Sequence, residues 1–221
     1  KTVLLEKIER QTFRAAKIVN GLLNLSRPAT SGNSEFAPVD LNVVVNDVFS
    51  LLEHQFRTHR IQLRKHMERP SVPVLGTEYK LQQVFLNLYL NARDAMPQGG
   101  MLTITVQLEN VDMAEHAHPD AQSGKFVCLT VVDTGVGIAA DEQQVIFEKF
   151  RQGRIFQKGD DAMTREVSGT GLGLSIVRTL VTTELDGTIE MRAGDPDDFR
   201  AVGLGEHPKG AGTVVDLSVP V

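Results

Sequence analysis

The sequence is short of cysteine, of long apolar runs and of positive charge. Cys128 is the one cysteine among 221 residues, so no internal disulfide can form, and its apolar neighbours predict a buried strand thiol. The net charge of -5 argues against a nucleic-acid partner, because such proteins usually carry a basic face. No apolar run is long enough to cross a bilayer and no secretory signal opens the chain, so we expect no membrane contact by these residues. The single cysteine fits a reducing cytoplasm, so we expect a cytoplasmic location, as part of either a membrane-anchored or a soluble protein.

Residues 1–27 are predicted to form one amphipathic helix, which Pro28 ends. Its apolar stripe consists of Leu4, Ile8, Ala15, Val19, Leu22 and Leu25. Such a stripe can pack on the helix's own domain or on partner helices of a bundle, and the polar linker at 28–34 favours the bundle. The chain begins at Lys1 without a methionine, so we also expect it to be part of a longer protein.

Residues 35–221 alternate between strand and helix patterns. Helices are predicted at 42–59, 78–95 and 172–185. Strands are predicted at 35–39, 60–66, 73–75, 101–108, 125–132, 188–192 and 213–219. Loops are predicted at 111–124 and 194–210, and a changeable basic segment at 150–168.

The predicted helix at 78–95 carries a polar stripe beside its apolar face. Asn87, Asn91 and Asp94 are three or four positions apart, so they share one side of the helix. Asparagine is a poor helix former, so two of them on one stripe need a reason. A carboxamide oxygen suits Mg²⁺, which keeps several waters and shares phosphate oxygens. The plain alternative is that both amides cap the backbone or face solvent.

A second motif, Asp133-Thr134-Gly135-Val136-Gly137, follows a predicted strand. Its two glycines let the backbone turn tightly and approach a ligand. Asp133 can only accept hydrogen bonds when it is ionised, so at the floor of a pocket it can recognise an exocyclic amine such as that of adenine. The alternative is an ordinary turn after a strand.

A third motif, Ser168-Gly169-Thr170-Gly171-Leu172-Gly173, opens the last predicted helix. Its alternating glycines expose backbone N–H groups at the positive end of the helix dipole, which predicts a phosphate cradle rather than a purely structural turn. The spacing is neither that of a dinucleotide-binding fingerprint nor that of a P-loop. The basic segment before this motif is predicted to be a lid over a nucleotide, with a surface loop as the alternative.

Together, in this order, these motifs resemble the ATP-binding domain of sensor histidine kinases, which belongs to a superfamily shared with gyrase, Hsp90 and MutL. Asn87–Ala95 matches the N box, Asp133–Gly137 the first glycine box, Phe147–Phe150 the F box and Gly169–Gly173 the second glycine box. The resemblance covers residues 35–221. It implies an α+β fold, a two-layer α/β sandwich in which a mixed five-stranded sheet packs on about three helices with an ATP lid.

Residues 1–27 resemble the second helix of the dimerisation and histidine-phosphotransfer hairpin of the same enzymes. The resemblance therefore implies one long bundle helix before the catalytic domain, and a homodimer formed through it.

The resemblance also implies roles for single residues. Asn91 would ligate Mg²⁺, Asp133 would bind the adenine amine of ATP, and Thr213 would lie beside Asp133. The first glycine box would shape the base pocket, and the second would hold the phosphates. The remaining nucleotide contacts are implied at Asn87, Gly135, Gly137, Ile138, Lys149, Arg151, Gly169, Thr170, Gly171, Leu172 and Gly173.

Two positions depart from the family pattern. Gyrase-like ATPases carry a glutamate at the position of Asn87, and asparagine cannot act as a general base, which favours a kinase over a hydrolase. Many histidine kinases carry a lysine at the position of Asp94, so the cation that meets the phosphates must come from elsewhere. Lys149, Arg151 and Arg154 are candidates in the lid, whereas Arg93 points off the asparagine stripe.

No phosphoacceptor is predicted in this chain, and no catalytic residue is assigned. None of the histidines lies in a first hairpin helix followed by an acid; they are His54, His59, His66, His116, His118 and His207. We therefore predict that the chain binds ATP without phosphorylating itself in the family's usual way.

The predicted function is the ATP-binding catalytic part of a two-component sensor histidine kinase. It would transfer the γ-phosphoryl of Mg·ATP to a histidine outside the chain, and thence to the receiver domain of a response regulator. One alternative is a nucleotide-gated dimerisation module without phosphoryl transfer. Another is a serine kinase of the anti-sigma-factor type, against which the helix at 1–27 argues.

Overall fold

The computed structural model describes residues 36–67, 71, 73–111, 124–139, 141–143, 145–148, 154–155, 165–166, 171–201 and 212–221. Its α-helices are α1 (Leu41–Thr58), α2 (Glu78–Ala95), α3 (Gly173–Thr179) and α4 (Pro196–Ala201). Its strands are β1 (Ala37–Asp40), β2 (Ile61–Met67), β3 (Pro73–Gly76), β4 (Gly100–Val111), β5 (Gly124–Asp133), β6 (Arg154–Ile155), β7 (Arg165–Glu166), β8 (Thr188–Ala193) and β9 (Thr213–Pro220). The predicted helix at 1–27 and most of the predicted lid lie outside the described residues.

A mixed five-stranded sheet forms the centre of the fold, in the order β2-β4-β5-β9-β8. β2 and β4 are parallel, and the other three neighbouring pairs are antiparallel. β1 with β3 and β6 with β7 form two short antiparallel ribbons. The predicted α+β fold with a mixed five-stranded sheet is confirmed.

The main core lies between one face of this sheet, here called the inner face, and the helices α1, α2 and α3. Every second residue of the central strands enters it, as expected where one face of a sheet is covered; from β5 and β9 these are Val127, Leu129, Val131, Val215, Leu217 and Val219. α1 begins at Leu41 because the carboxylate of Asp40 accepts a hydrogen bond from the Asn42 N–H at 2.8 Å. Among the described residues, no helix is both long enough and apolar enough to cross a membrane.

The prediction of a loop at 194–210 is wrong in part, because α4 lies within this segment. Asp195 accepts hydrogen bonds from the N–H groups of Asp197 and Asp198 at 2.8 and 2.9 Å, and the carboxylate of Asp198 accepts one from the Asp195 N–H at 2.8 Å. This reciprocal pair is a capping box built from aspartates. Pro196 occupies the first helical position, which proline favours. The residues that suggested a loop are therefore the ones that start a helix.

The predicted helix at 172–185 is α-helical only over α3 and continues as a π-helical turn, Leu180–Glu184. The N–H of Leu185 donates to the carbonyl of Leu180, five residues back, at 3.2 Å. The hydroxyl of Thr179 donates to the carbonyl four residues before it at 2.9 Å. Such back-bonding weakens and bends the regular helical turn.

Candidate functional site

The asparagines of α2 face the start of α3. A Cβ placed on Gly173 would lie 3.5 Å from Oδ1 of Asn87 and 3.8 Å from Oδ1 of Asn91. Gly173 is the first residue of α3, so the fold brings the asparagine stripe and the end of the third glycine motif together. A side chain at position 173 would fill the space in front of both amide oxygens.

Both amides carry buried donors without a hydrogen-bond partner in the described part of the chain. These atoms are Nδ2 of Asn87 and Nδ2 of Asn91, and Asn87 as a whole is only 6% exposed. An unpaired buried amide costs about 1–3 kcal/mol of stability. This placement argues against the alternative in which the two amides cap the backbone or face solvent. Two unpaired donors on neighbouring turns of one helix instead suit a site that pairs them with a polar ligand.

The backbone that enters α3 takes a conformation suited to glycine. Gly171 has a φ of +66°, in the left-handed region. Leu172 follows it at the N-cap and makes no side-chain capping bond, so the first N–H groups of α3 lack the partner that a capping side chain supplies. Since these groups lie beside the asparagine stripe, they are available as donors to an anion.

Asp133 ends β5 and lies opposite Thr213 in β9. It is 5% exposed. Its carboxylate accepts a hydrogen bond from the Gly135 N–H at 2.8 Å and is also hydrogen-bonded by Thr213. Burial nevertheless raises the pKa of Asp133 to about 7, because removal from water penalises the ionised form more than these hydrogen bonds favour it. The site therefore holds a buried acidic group that ionises near neutral pH.

The C-terminal end of α2 supports the turn after Asp133. The N–H of Val136 donates to the carbonyl of Ala95 at 3.1 Å. A Cβ on Gly135 would lie 2.6 Å from that carbonyl oxygen, so only glycine fits there. Gly137 has a φ of +75°, which also favours glycine. The middle of α2 thus contacts the start of α3, and the C-terminal end of α2 contacts the turn after Asp133.

Comparison with known proteins identifies this arrangement. The sequence model of the family described as "Histidine kinase-, DNA gyrase B-, and HSP90-like ATPase" matches residues 76–221. The chain belongs to this ATPase family. The match includes α2, the turn after Asp133, the start of α3 and β9, so every described element of the site lies within the ATPase domain.

Two relatives are sensor kinases of much greater length. The sensor histidine kinase ZraS of Escherichia coli K12 is 30% identical over 188 residues, which are 85% of this chain and 34% of ZraS. The sensor kinase CckA of Brucella abortus is 36% identical over 176 residues, which are 79% of this chain and 17% of CckA. This chain therefore spans about a third of ZraS and less of CckA.

A solved structure shows that the fold is shared. The histidine kinase ThkA, in its complex with the response regulator protein TrrA, matches with a TM-score of 0.60 and 22% identity over 96% of this chain and 49% of that chain.

The candidate site falls into two halves in the described structure. One half contains the asparagines together with the start of α3, and the other contains Asp133 with its turn and β9. Site residues predicted from the sequence and described here are Asn87, Asn91, Asp133, Gly135, Gly137, Ile138, Gly171, Leu172, Gly173 and Thr213. The predicted contacts Lys149, Arg151, Gly169 and Thr170 lie outside the described residues.

An ion pair at the end of the asparagine stripe was missed by the sequence reasoning. Arg93 donates to Oδ1 of Asp94 through Nε at 2.9 Å and through Nη2 at 2.5 Å. Its Nη1 donates to Oε1 of Gln55, on α1, at 2.5 Å. Asp94 therefore has its own counter-ion at the end of the asparagine stripe. The adjacent opposite charges were visible in the sequence, but the contact with Gln55 depends on how α1 packs on α2.

The described histidines are His54, His59 and His66, and all three are exposed. The other three, His116, His118 and His207, lie outside the described residues. The absence of a phosphoacceptor from this chain stays a prediction.

Proposed function

We propose that this chain is the ATP-binding catalytic part of a two-component sensor histidine kinase. The observation that carries the proposal is the alignment of the two half-sites along α2. From Asn87 to Ala95 the helix rises about 12 Å, a span comparable to that from a purine ring to the terminal phosphate of an extended nucleotide. A buried carboxylate at one end, and at the other end unpaired amides beside helical N–H groups that Leu172 does not cap, suit the two ends of ATP.

Asp133 is proposed to accept a hydrogen bond from the exocyclic amine of adenine. A carboxylate offers about four acceptor positions, and the bonds from Gly135 and Thr213 use only part of them. Gly135 lets the turn pack closely on the end of α2 beside this carboxylate, and Ile138 is proposed as an apolar neighbour of the base.

Asn91 is proposed as the Mg²⁺ ligand. The described residues contain no group of three or more His, Cys, Asp or Glu side chains that could hold a metal by themselves. A single carboxamide fits Mg²⁺ all the same, because this ion keeps waters and is held largely by substrate phosphates. When bound, it would neutralise charge on the phosphate oxygens. The unpaired Nδ2 of Asn87 and the N–H groups at the start of α3 would orient the same phosphates.

The identity of residue 87 favours phosphoryl transfer to a protein over hydrolysis. A hydrolase needs a group that takes a proton from water, and a carboxamide cannot do so. Transfer to a histidine depends mainly on positioning and on charge neutralisation. Lys149 and Arg151 are proposed to supply part of that charge from the lid.

The remaining assignments concern the longer protein. We propose that residues 1–27 form the second hairpin helix of a homodimer, that the acceptor histidine lies on a helix outside this chain, and that a response regulator receives the phosphoryl group. The relatives named sensor kinases and the ThkA–TrrA complex support these proposals. A cytoplasmic location stays a prediction.

The decisive experiment combines the chain with Mg·[γ-³²P]ATP and separately supplied hairpins that carry a phosphoacceptor histidine, taken from relatives such as ZraS. We expect alkali-stable label on a hairpin histidine, and we expect the N91A variant to bind ATP weakly and to transfer none. ATP binding without transfer to any hairpin would support the nucleotide-gated module instead. Label on the chain's own histidines would contradict the prediction that the acceptor lies elsewhere.

A further inference from the structure

A small second core lies on the outer face of the sheet, the face opposite α1, α2 and α3. Phe199 of α4, Val132 of β5 and Val214 of β9 form it, and each is 1% exposed. We call these three residues the outer cluster. The other outward-facing residues of β5 and β9 are only partly buried or exposed. Complete burial of the outer face is therefore confined, along these two strands, to the end nearest the proposed base site.

The ring of Phe199 lies on a pair of glycines. A Cβ on Gly194 would lie 2.7 Å from Cζ of Phe199, and one on Gly212 would lie 2.8 Å from the same atom. The N–H of Gly194 donates to the carbonyl of Gly212 at 3.1 Å, so the pair continues the β8–β9 hairpin beyond its last strand residues. Because both positions lack side chains, the ring packs directly on the backbone.

The outer cluster lies directly behind the proposed base-binding residues. Val132 precedes Asp133, Val214 follows Thr213, and Asp133 and Thr213 are partners in the sheet. A Cβ on Gly212 would lie 2.1 Å from the carbonyl oxygen of Asp133, so the glycine touches that backbone. Successive residues of a strand point to opposite faces. Packing that fixes the outer neighbours therefore also fixes the direction of the two inner side chains.

α4 has a second attachment to the sheet at its rim. Nη1 and Nη2 of Arg192, in β8, donate to the two carboxylate oxygens of Asp198 at 2.5 and 2.6 Å. The hydrogen bonds from Arg192 lower the pKa of Asp198, which is also a member of the cap of α4. Residues 194–212 connect two strands that already pair at Ala193 and Thr213, although hairpins usually need only about 2–5 residues for this. The additional residues include α4, which places the ring of Phe199 on the sheet.

We propose that Phe199 is a positioning residue for nucleotide recognition, which holds Asp133 and Thr213 in the orientation that selects adenine. It acts from the opposite side of the sheet and contacts no ligand. The proposal rests on the proposed function, because it assumes that Asp133 binds the base. Without the ring, the ends of β5 and β9 can relax and the carboxylate can move relative to the base. Displacements of about 1 Å can weaken a positioned interaction by as much as about 100-fold.

The test compares base selectivity among variants of the whole 221-residue chain. Dissociation constants for Mg·ATP and Mg·GTP are measured by calorimetry for the parent, F199L and D198N, with thermal unfolding recorded for each. F56L is the matched control, because Phe56 is 3% exposed in the main core and packs on the rings of Phe49 and Tyr89. We expect F199L to lower the preference for ATP about ten-fold, with GTP binding little changed. F56L should lose comparable stability and keep the preference.

D198N keeps the ring and removes one charge of the rim pair, so it remains informative if F199L does not fold. It should lower the preference for ATP in the same direction, by about three-fold. Equal effects of F199L and F56L, or a parental preference in both F199L and D198N, would overturn the positioning role while leaving the proposed function intact. A parent that binds ATP no better than GTP would overturn the proposed function, and this inference with it.

Discussion

Replacing Asp133 by asparagine is expected to make the protein more stable and its nucleotide site weaker. Burial raises the pKa of Asp133 from 3.8 to about 7, so near and above neutral pH the fold contains a buried carboxylate. Asparagine has almost the same shape, keeps an acceptor for the Gly135 N–H and carries no charge. Its NH₂ group, however, is a donor where the proposed adenine amine needs an acceptor. The substitution therefore separates stability from binding.

The pKa values set the size of the effect and its pH range. Between the unfolded value of 3.8 and the folded value of about 7, the folded state holds one proton more than the unfolded chain. The free energy of unfolding then falls by about 1.4 kcal/mol per pH unit as the pH rises, and no further above the folded value. Across the whole range from pH 3.8 to about 7, the free energy of unfolding falls by about 4 kcal/mol. D133N has no such titration, so its free energy of unfolding should exceed that of the parent by up to about 4 kcal/mol at pH 8. At pH 5 this difference should be about 3 kcal/mol smaller.

Urea unfolding of both proteins at pH 5 and pH 8 measures the two differences, since every other group titrates alike in the pair. D47N serves as the control, because it removes the same charge from an exposed position on α1. Calorimetry at pH 8 should show that D133N binds Mg·ATP at least about ten-fold more weakly than the parent, whereas D47N binds it as the parent does. A D133N protein that is less stable than the parent at pH 8, or a stability gap that does not change with pH, would refute the reasoning.

Three further substitutions have defined outcomes. G135A places a Cβ 2.6 Å from the backbone oxygen of Ala95, so it should cost about 1–3 kcal/mol in urea unfolding and abolish Mg·ATP binding in calorimetry; normal binding would show that the turn is not at the site. R93M should weaken Mg·ATP binding about ten-fold, because it leaves the negative charge of Asp94 unpaired between the two proposed half-sites, where it repels the anionic nucleotide, and R93M/D94N should restore it; no difference between the two variants would contradict this. Y89F removes a hydroxyl that is buried without a partner in the described structure and should raise the free energy of unfolding by about 1 kcal/mol; a clear loss of stability would imply a missing partner.

Local signals predicted much of the fold. The helix at 78–95 was predicted at its observed bounds, Glu78–Ala95, because its apolar period is regular and Pro97 follows it closely. The strands of the sheet were predicted to within a few residues, because one covered face imposes an alternation that is readable in the sequence. β4 and β5 were predicted too short, since pairing between Val111 and Gly124 extends them into the polar segment.

Contacts between distant parts of the chain could not be predicted in this way. Each site motif is local, but the approach of Asn87 to Gly173 depends on α2 and α3 packing on the same sheet. The outer cluster is hidden for the same reason. Phe199 lies in a segment rich in Gly, Asp and Pro, and nothing in that segment shows that a sheet lies beneath it.

Because α2 contacts both half-sites, the spacing between Asn91 and Ala95 must match the length of the nucleotide that is proposed to bind. One residue inserted between Asn91 and Ala95 would shift the asparagines by about 1.5 Å and turn them by about 100° relative to the turn at Gly135. Four inserted residues would nearly restore the direction but separate the two half-sites by about 6 Å more. The core could accommodate the longer helix by moving a loop, whereas a nucleotide cannot be stretched. Insertions within this two-turn segment are thus expected to abolish nucleotide binding.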